Sequence, residues 1–318
     1  MKVLGKQEIM ALFQPDQALQ LLREGLIAYS TGRVQQPPVQ HFGFQEGRAD
    51  CCIKSGYLLG DDLFAVKVST GFYGNAQHGL ACNQGLIMLF SASTGVPQAL
   101  LLDEGWLTGL RTALTGRLVA ELMAPPRVAA IGVLGTGLQA QLQLEQLASV
   151  LPCRTVWVWG QRQQALERFI QPFVARGYDM RPTLDACELA SHCQYIVSCT
   201  PSCTPLLLAE WIAPGTHITA VGADAVGKQE LDAGLVAAAD VLVADSVAQC
   251  VAFGELQHAV AAGLVRQDGV RELGALLAQR QHGRRRAVDI SIADLSGLAI
   301  QDVQIAKSVL QRLDCTAK

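Results

Sequence analysis

Two lysines raise the first question of chemistry. In "CCIKSGYLLGDDLFAVK", Cys51 to Lys67, two short apolar runs flank a turn, and each carries an ammonium group, Lys54 and Lys67. If Gly60-Asp61 is a two-residue type II′ loop, with glycine supplying the positive φ, Lys54 stands directly opposite Lys67 in an antiparallel ladder. Like charges so paired repel, and a bound anion is the simplest thing to offset them. A three-residue loop, Gly60-Asp61-Asp62, shifts the register by one and sends the lysines to opposite faces, leaving one of them solvated. The hairpin alone does not choose between the two.

A second pattern is "VAAIGVLGTGLQAQLQLEQL", a buried strand running into Gly135, Thr136, Gly137, Leu138, Gln139 and Ala140 and then a helix. Gly135 allows the tight turn, Gly137 lets the backbone approach a pyrophosphate, and Ala140 permits close helix-strand packing, while the helix N-terminus attracts phosphate. The next strand, "RTVWVWGQR", ends at Gly160, Gln161 and Arg162 where an acid would bind the free ribose hydroxyls of NAD(H). Arg162 can pair a 2′-phosphate, so NADP(H) is favoured and NAD(H) remains possible; alternatively, Arg162 only begins the next helix. The strand ends in "YIVSCT" and "THITAVGAD" add Thr200, Val221 and Gly222 as cofactor-binding candidates, and Gly297 in "DLSGLAIQD" joins them.

The elements that must position these residues read in two styles. The first hundred residues mix a helical pattern, Pro15 to Ala28, with strand runs such as "LFAVKVS" and "LIMLFSASTGVPQALLL", with a hairpin turn at Ser93-Thr94-Gly95. A helix follows from Leu110 to Met123, ended by Pro125-Pro126. From Val128 the rhythm is strand, helix, strand with near-continuous apolar strands, which predicts a parallel sheet covered on both faces. The fold class is therefore α/β: a central Rossmann dinucleotide-binding domain at 124–292, and a second, α+β domain at 1–123 to which a C-terminal helix within 293–318 can return.

Composition excludes several classes. The chain has 318 residues, half of them apolar, and a formal net charge of −3, so nothing draws it globally to nucleic acid. The one basic run, "HGRRRAV" at His282 to Val288, reads as a solvated turn. Ten cysteines scatter without zinc spacing, which implies reduced thiols, a cytoplasmic setting and no metal site; Cys51 and Cys52 read as packing. No stretch is long and apolar enough for a membrane span or a targeting segment.

The motifs "LRTALTG", "GVLGTGLQAQ", "AVGADAVGKQELD" and "DLSGLAIQD", in this order and spacing, resemble the ornithine cyclodeaminase/mu-crystallin family over nearly the whole chain. The resemblance implies that the first domain, joined by the C-terminal helix, is a substrate-binding and dimerisation domain, that the protein is a homodimer, and that it transfers hydride at the carbon bearing the amino or imino nitrogen of a small α-amino acid. It implies Lys67 as the active-site lysine, Arg111 as the holder of the substrate carboxylate and Asp224 as the acid beside the reacting nitrogen. Independent chemistry accepts these roles, since a guanidinium fork matches a carboxylate and a lysine near it loses its proton more readily. Taken alone, Arg111 could form a surface salt bridge and Asp224 could cap a helix before "GKQELDAGL". Two positions depart from the cyclodeaminase pattern: Lys54 stands where a glutamate is expected, and Gln40 where a second substrate arginine is expected. A cation at position 54 repels the terminal ammonium of ornithine and helps grip a carboxylate. The leading expectation is a cyclic imine reductase acting on Δ1-pyrroline-2-carboxylate or its six-membered homologue. Ornithine cyclodeaminase, an open-chain amino acid dehydrogenase or imine reductase, and a non-catalytic binding protein remain alternatives.

Overall fold

The computed structural model describes residues 1–44, 49–72, 74–279 and 283–316. They group into two compact units, Met1–Arg111 with Leu298–Lys318, and Thr112–Gly297. The divisions thus fall at 111/112 and 297/298, against 123/124 and 292/293 in the sequence reading. The first lies inside a helix that runs Trp106–Met123, one turn longer at its start than the sequence suggested.

The first unit is a seven-stranded sheet of β1 (Lys2–Gly5), β2 (Val34–Gln35), β3 (Gln40–Phe44), β4 (Ala49–Leu58), β5 (Leu63–Phe72), β6 (Asn83–Ser91) and β7 (Pro97–Leu102). The order is β1-β7-β6-β5-β4-β2, with β3 also on β4. Among the described residues of this sheet the pairing of β1 with β7 is parallel and the other pairings are antiparallel. The helix Pro15–Ser30 opens with proline at its first position and buries Ala18, Leu19, Leu22 and Leu26. It packs on the final helix, Ala299–Thr316, which lies against β4, β5 and β6. The approach is close: a Cβ on Gly56 of β4 would stand 3.1 Å from that of Ala299.

The register of β4 and β5 places Lys54 directly opposite Lys67. The turn that achieves it differs from the expected two-residue loop. Asp61 N donates to Leu58 O, and Gly60, with φ +85°, is the third residue of that turn. A left-handed glycine there suits a type II turn, and the wider loop keeps the same pairing. The next hairpin turns at Ser93-Thr94-Gly95 as expected, closed by Ser91 N to Val96 O with Gly95 at φ +70°.

The second unit holds β8 (Ile131–Leu134), β9 (Thr155–Trp159), β10 (Asp179–Thr183), β11 (Tyr195–Ser198), β12 (Cys203–Leu207), β13 (His217–Ala220), β14 (Gln229–Leu231), β15 (Val241–Ala244), β16 (Arg271–Glu272) and β17 (Ser291–Asp294). Eight of them form one parallel sheet ordered β10-β9-β8-β11-β13-β17-β15-β16, while β12 and β14 pair separately. Strand order reverses between β8 and β11, the doubly wound pattern whose crevice receives ligands. β8, β11, β13 and β17 are buried throughout, as their apolar runs require.

Two local readings are corrected. "GKQELDAGL" is not a helix capped by Asp224: residues 229–231 are strand β14, and the helix starts at Ala233, where the Asp232 carboxylate accepts from Gly234 N. The basic run is not a wholly solvated turn. Arg284 is buried and donates to Ser291 Oγ and to the carbonyls of Gly215 and Ala287. A guanidinium can be buried this way because its fork finds several acceptors at once. His282 lies outside the described residues. Among the described residues no helix is long and apolar enough to cross a membrane, and the ten cysteines are free thiols.

Candidate active site

In the first unit the hairpin and the final helix assemble one charged cluster. Lys54 and Lys67 point to the same face, toward the helix whose first turn carries Gln301 and Asp302. Lys67 Nζ lies 3.0 Å from Asp302 Oδ2, Arg111 Nε donates to Asp302 Oδ1 at 3.0 Å, and Arg111 Nη1 donates to Gln301 Oε1 at 2.8 Å. Lys67, Arg111 and Asp302 are 2%, 5% and 2% exposed, and Lys54 is 7% exposed. So complete a burial of charge is tolerable only because the partners supply hydrogen bonds and opposite sign. Asp302 is a partner that the sequence reading lacked; a single carboxylate among three cations leaves an excess of positive charge for an anion to offset.

The electrostatics follow. Burial pushes the Lys67 ammonium down to about 8, the Asp302 charge opposes that, and Arg111 and Lys54 push it further down. Desolvation is thus the main cause, ahead of the neighbouring arginine that the sequence reading stressed. Asp302 is held below the usual carboxylate range because Lys67, Arg111 and Lys54 together outweigh its own burial. A lysine poised near 8 can exchange a proton with a bound amine or imine at neutral pH.

Gln40 is not brought to this cluster. The ladder sets it opposite Ile53, on the face away from Lys54, and its side chain is exposed. His41 and Gly43, opposite Cys52 and Asp50, are the β3 residues that share the lysine face.

In the second unit a cleft of about 300 Å³ opens where strand order reverses. It is lined by Gly135, Thr136, Gly137, Gly160, Gln161, Arg162 and Thr200, together with Trp159, Cys199 and Ser202, which sequence reasoning did not select. Gly135 has φ +117°, and a Cβ there would stand 3.0 Å from Cys199 O, so the turn demands glycine. Gly137 precedes the helix Leu138–Leu147 as its cap, with no side-chain cap of its own, and a Cβ there would meet open space. Gln139 Nε2 nearby is buried without a protein partner among the described residues. Ala140 is buried in the helix-sheet interface, and Leu138 is exposed. Arg162 is the cap residue before the helix Gln163–Val174 and also lines the cleft, so beginning that helix does not remove it from the cleft. An uncapped helix start with an open glycine and a 300 Å³ cleft fit a dinucleotide pyrophosphate.

Asp224 lies four residues past the end of β13, at the carboxyl end of the sheet, and its carboxylate meets Lys228 Nζ at 2.6 Å. Val221 is buried at the same strand end, and Gly222 N donates to Glu230 Oε2. Gly297 sits at φ +80° with its N–H on Asp245 Oδ2.

The comparisons agree with this geometry. The model of the ornithine cyclodeaminase/mu-crystallin family matches residues 1–316. An alanine dehydrogenase of Archaeoglobus fulgidus is 34% identical, covering 97% of this chain and 94% of its own. An iminosuccinate reductase of Paracoccus denitrificans is 32% identical over 98% of this chain and 96% of its own. Its solved structure in complex with NAD+ superposes at TM-score 0.89, with 31% identity over 100% and 97% of the two chains. An archaeal alanine dehydrogenase, solved as a dimer with bound NAD, superposes at 0.90 with 31% identity over the same shares.

Proposed function

The chain belongs to the ornithine cyclodeaminase/mu-crystallin family, and from that premise we propose that it reduces a small α-imino acid to the amino acid at the expense of NAD(P)H. The observation that carries the reading is the convergence of Lys54, Lys67 and Arg111 on one buried face around Asp302. Arg111 offers its fork to the substrate carboxylate, with Gln301 and Asp302 fixing the guanidinium plane. Lys54 supports that grip. Lys67, already held near 8, keeps the imine nitrogen protonated, with Asp224 as the second candidate for this proton. When bound, the reduced dinucleotide supplies the hydride.

The leading substrate is a cyclic imine, Δ1-pyrroline-2-carboxylate or Δ1-piperideine-2-carboxylate, giving proline or pipecolate. Lys54 disfavours ornithine, whose terminal ammonium it repels. A second reading, an open-chain imino acid, is favoured by the identities: 34% and 32% to the alanine dehydrogenase and the iminosuccinate reductase, against 29% to the Δ1-pyrroline-2-carboxylate reductase of Paracoccus denitrificans. We assign a preference for NADPH to Arg162, although the two solved neighbours are described with NAD.

The working unit is read as a cytoplasmic homodimer. One face of the first unit's sheet carries Phe64, Val66, Val68, Leu86, Met88 and Phe90, all partly exposed, and a second copy would cover them.

The deciding experiment follows cofactor absorbance with purified protein, NADPH or NADH, and each imine in turn: the two cyclic imines, iminosuccinate, and pyruvate with ammonia. A parallel reaction holds ornithine with catalytic NAD. Net oxidation of cofactor by an imine supports the reductase. Proline and ammonia formed from ornithine with no net cofactor change would overturn it.

A further inference from the structure

Behind the dinucleotide cleft, Glu230 occupies a position that an apolar residue would fill at less cost. It is fully buried on β14, yet its carboxylate collects donors from two other strand ends. Thr200 N donates to Oε1 at 2.6 Å, and Ser198 Oγ and Gly222 N donate to Oε2 at 3.0 and 2.9 Å. The junction is tight: a Cβ on Gly222 would come within 2.2 Å of Thr200 O and 2.3 Å of Glu230 Oε2. The strand that carries Glu230 is itself tied to the cleft wall. β14 pairs with β12, which follows that wall directly, and Gln229 N donates to Ser202 O. Cys199, Thr200, Pro201 and Ser202 all line the cleft. From below, Glu255 accepts from the amides of Glu230 and Leu231, which fixes the strand.

We propose that Glu230 is the positioning residue of the dinucleotide site: its carboxylate clamps the ends of β11 and β13 together and so holds the 199–202 wall in its binding shape. The inference rests on the reading of the cleft as a dinucleotide site. Glu230 does not touch the ligand in this account; it acts through Thr200 and Gly222.

The chemistry of the clamp gives it a signature. An ionised carboxylate can accept all of these donors at once, whereas a protonated one must aim its own O–H at something and surrender part of the grip. Burial raises Glu230 to about 7, against the opposing pull of its donors. The titratable groups facing it are Cys199 and Glu255, both pushed well above their ordinary values, with Asp294 beyond Glu255. Clamping therefore strengthens as pH rises through neutrality.

The test measures NADH affinity, by quenching of tryptophan fluorescence, from pH 6 to 8.5 in the wild type, Glu230→Gln and Ser198→Ala. NADH is the probe because it lacks a 2′-phosphate that would titrate in the same range. The expected result is a wild-type Kd that weakens below about pH 7, a Kd raised on the order of 10-fold or more and flat with pH in Glu230→Gln, and a smaller rise in Ser198→Ala. Equal affinity and an unchanged pH profile in a folded Glu230→Gln would overturn the inference and leave the proposed function standing. If Glu230→Gln does not fold, an unchanged Kd in Ser198→Ala overturns it in the same way. Failure of the wild type to bind NADH or NADPH at all would remove the function reading and this inference together.

Discussion

Lys67 and Asp302 meet at 3.0 Å across 235 positions of sequence, and both are buried almost completely. The pair sits in a group of four charges, so the lysine titrates out of its ordinary range. Its value of about 8 in the folded chain lies below 10.5. Between those two pH values the unfolded state therefore binds the extra proton, and stability rises with pH. Wild-type stability relative to Lys67→Met should improve by about 3 kcal/mol across that window. Urea unfolding at several pH values between 8 and 10.5 measures it; a difference that stays constant would mean that the lysine titrates normally.

Substituting Lys54→Glu puts a carboxylate opposite Lys67, in place of a cation that lowers it. Imine reduction should fall roughly 10–100-fold, the effect of losing about 1.5–3 kcal/mol of charged hydrogen bonding. The pH limb assigned to Lys67 should move upward, and ornithine should enter more easily. Steady-state kinetics on both substrates decide this, and an unaltered kcat/KM in the folded variant would dissociate Lys54 from the substrate.

Arg162 lines the dinucleotide cleft at the end of the second strand of that unit. Its replacement by alanine should weaken NADPH binding by about 1–3 kcal/mol and leave NADH nearly untouched. Titration calorimetry with each cofactor is the check. Equal losses for both would mean that the guanidinium does not read the 2′-phosphate.

The two glycines of the phosphate loop should behave differently. Gly135 is left-handed and crowded by Cys199 O, so Gly135→Ala should lower the melting temperature. Gly137 faces open space, so Gly137→Val should keep the melting temperature and abolish dinucleotide binding. Thermal shift with and without cofactor separates these outcomes.

Val66 lies on the outer, partly exposed face of the first unit's sheet, between Ser55 and Met88. A charge there should be silent in a monomer and prohibitive in a buried interface. Val66→Asp is expected to shift sedimentation from a dimer to a monomer; an unchanged dimer would place the interface elsewhere.

The hairpin register was legible only as one of two alternatives, because it depends on a loop length that the local residues leave open; the glycine-rich turn after β8 was legible because a buried strand, its turn glycines and the following helix are contiguous in sequence. The sequence could not show that Asp302 answers the two lysines, although that residue ends a motif quoted for other reasons, since nothing in spacing reports a contact between distant positions. Glu230 was hidden by its surroundings: "GKQELDAGL" looks helical, and only the tertiary pairing of β12 with β14 draws it into an extended strand. Arg284 was misread for a related cause, because a run of arginines resembles a solvated turn until buried carbonyls converge on one of them. Gln40 failed by a single residue of register, which in a ladder reverses the face.

The discontinuity of the first unit has a bearing on how the molecule is made. Its last helix is encoded after the entire second unit, so a growing chain leaves the ribosome with the hairpin lysines long before their carboxylate exists. Until residue 302 emerges, opposed ammonium groups work against closing that face of the sheet. The second unit, contiguous from Thr112 to Gly297, has no such dependence and can fold first. Assembly of the lysine site is thereby postponed until the second unit has been translated, and the helix that follows it acts as the latch that completes the site.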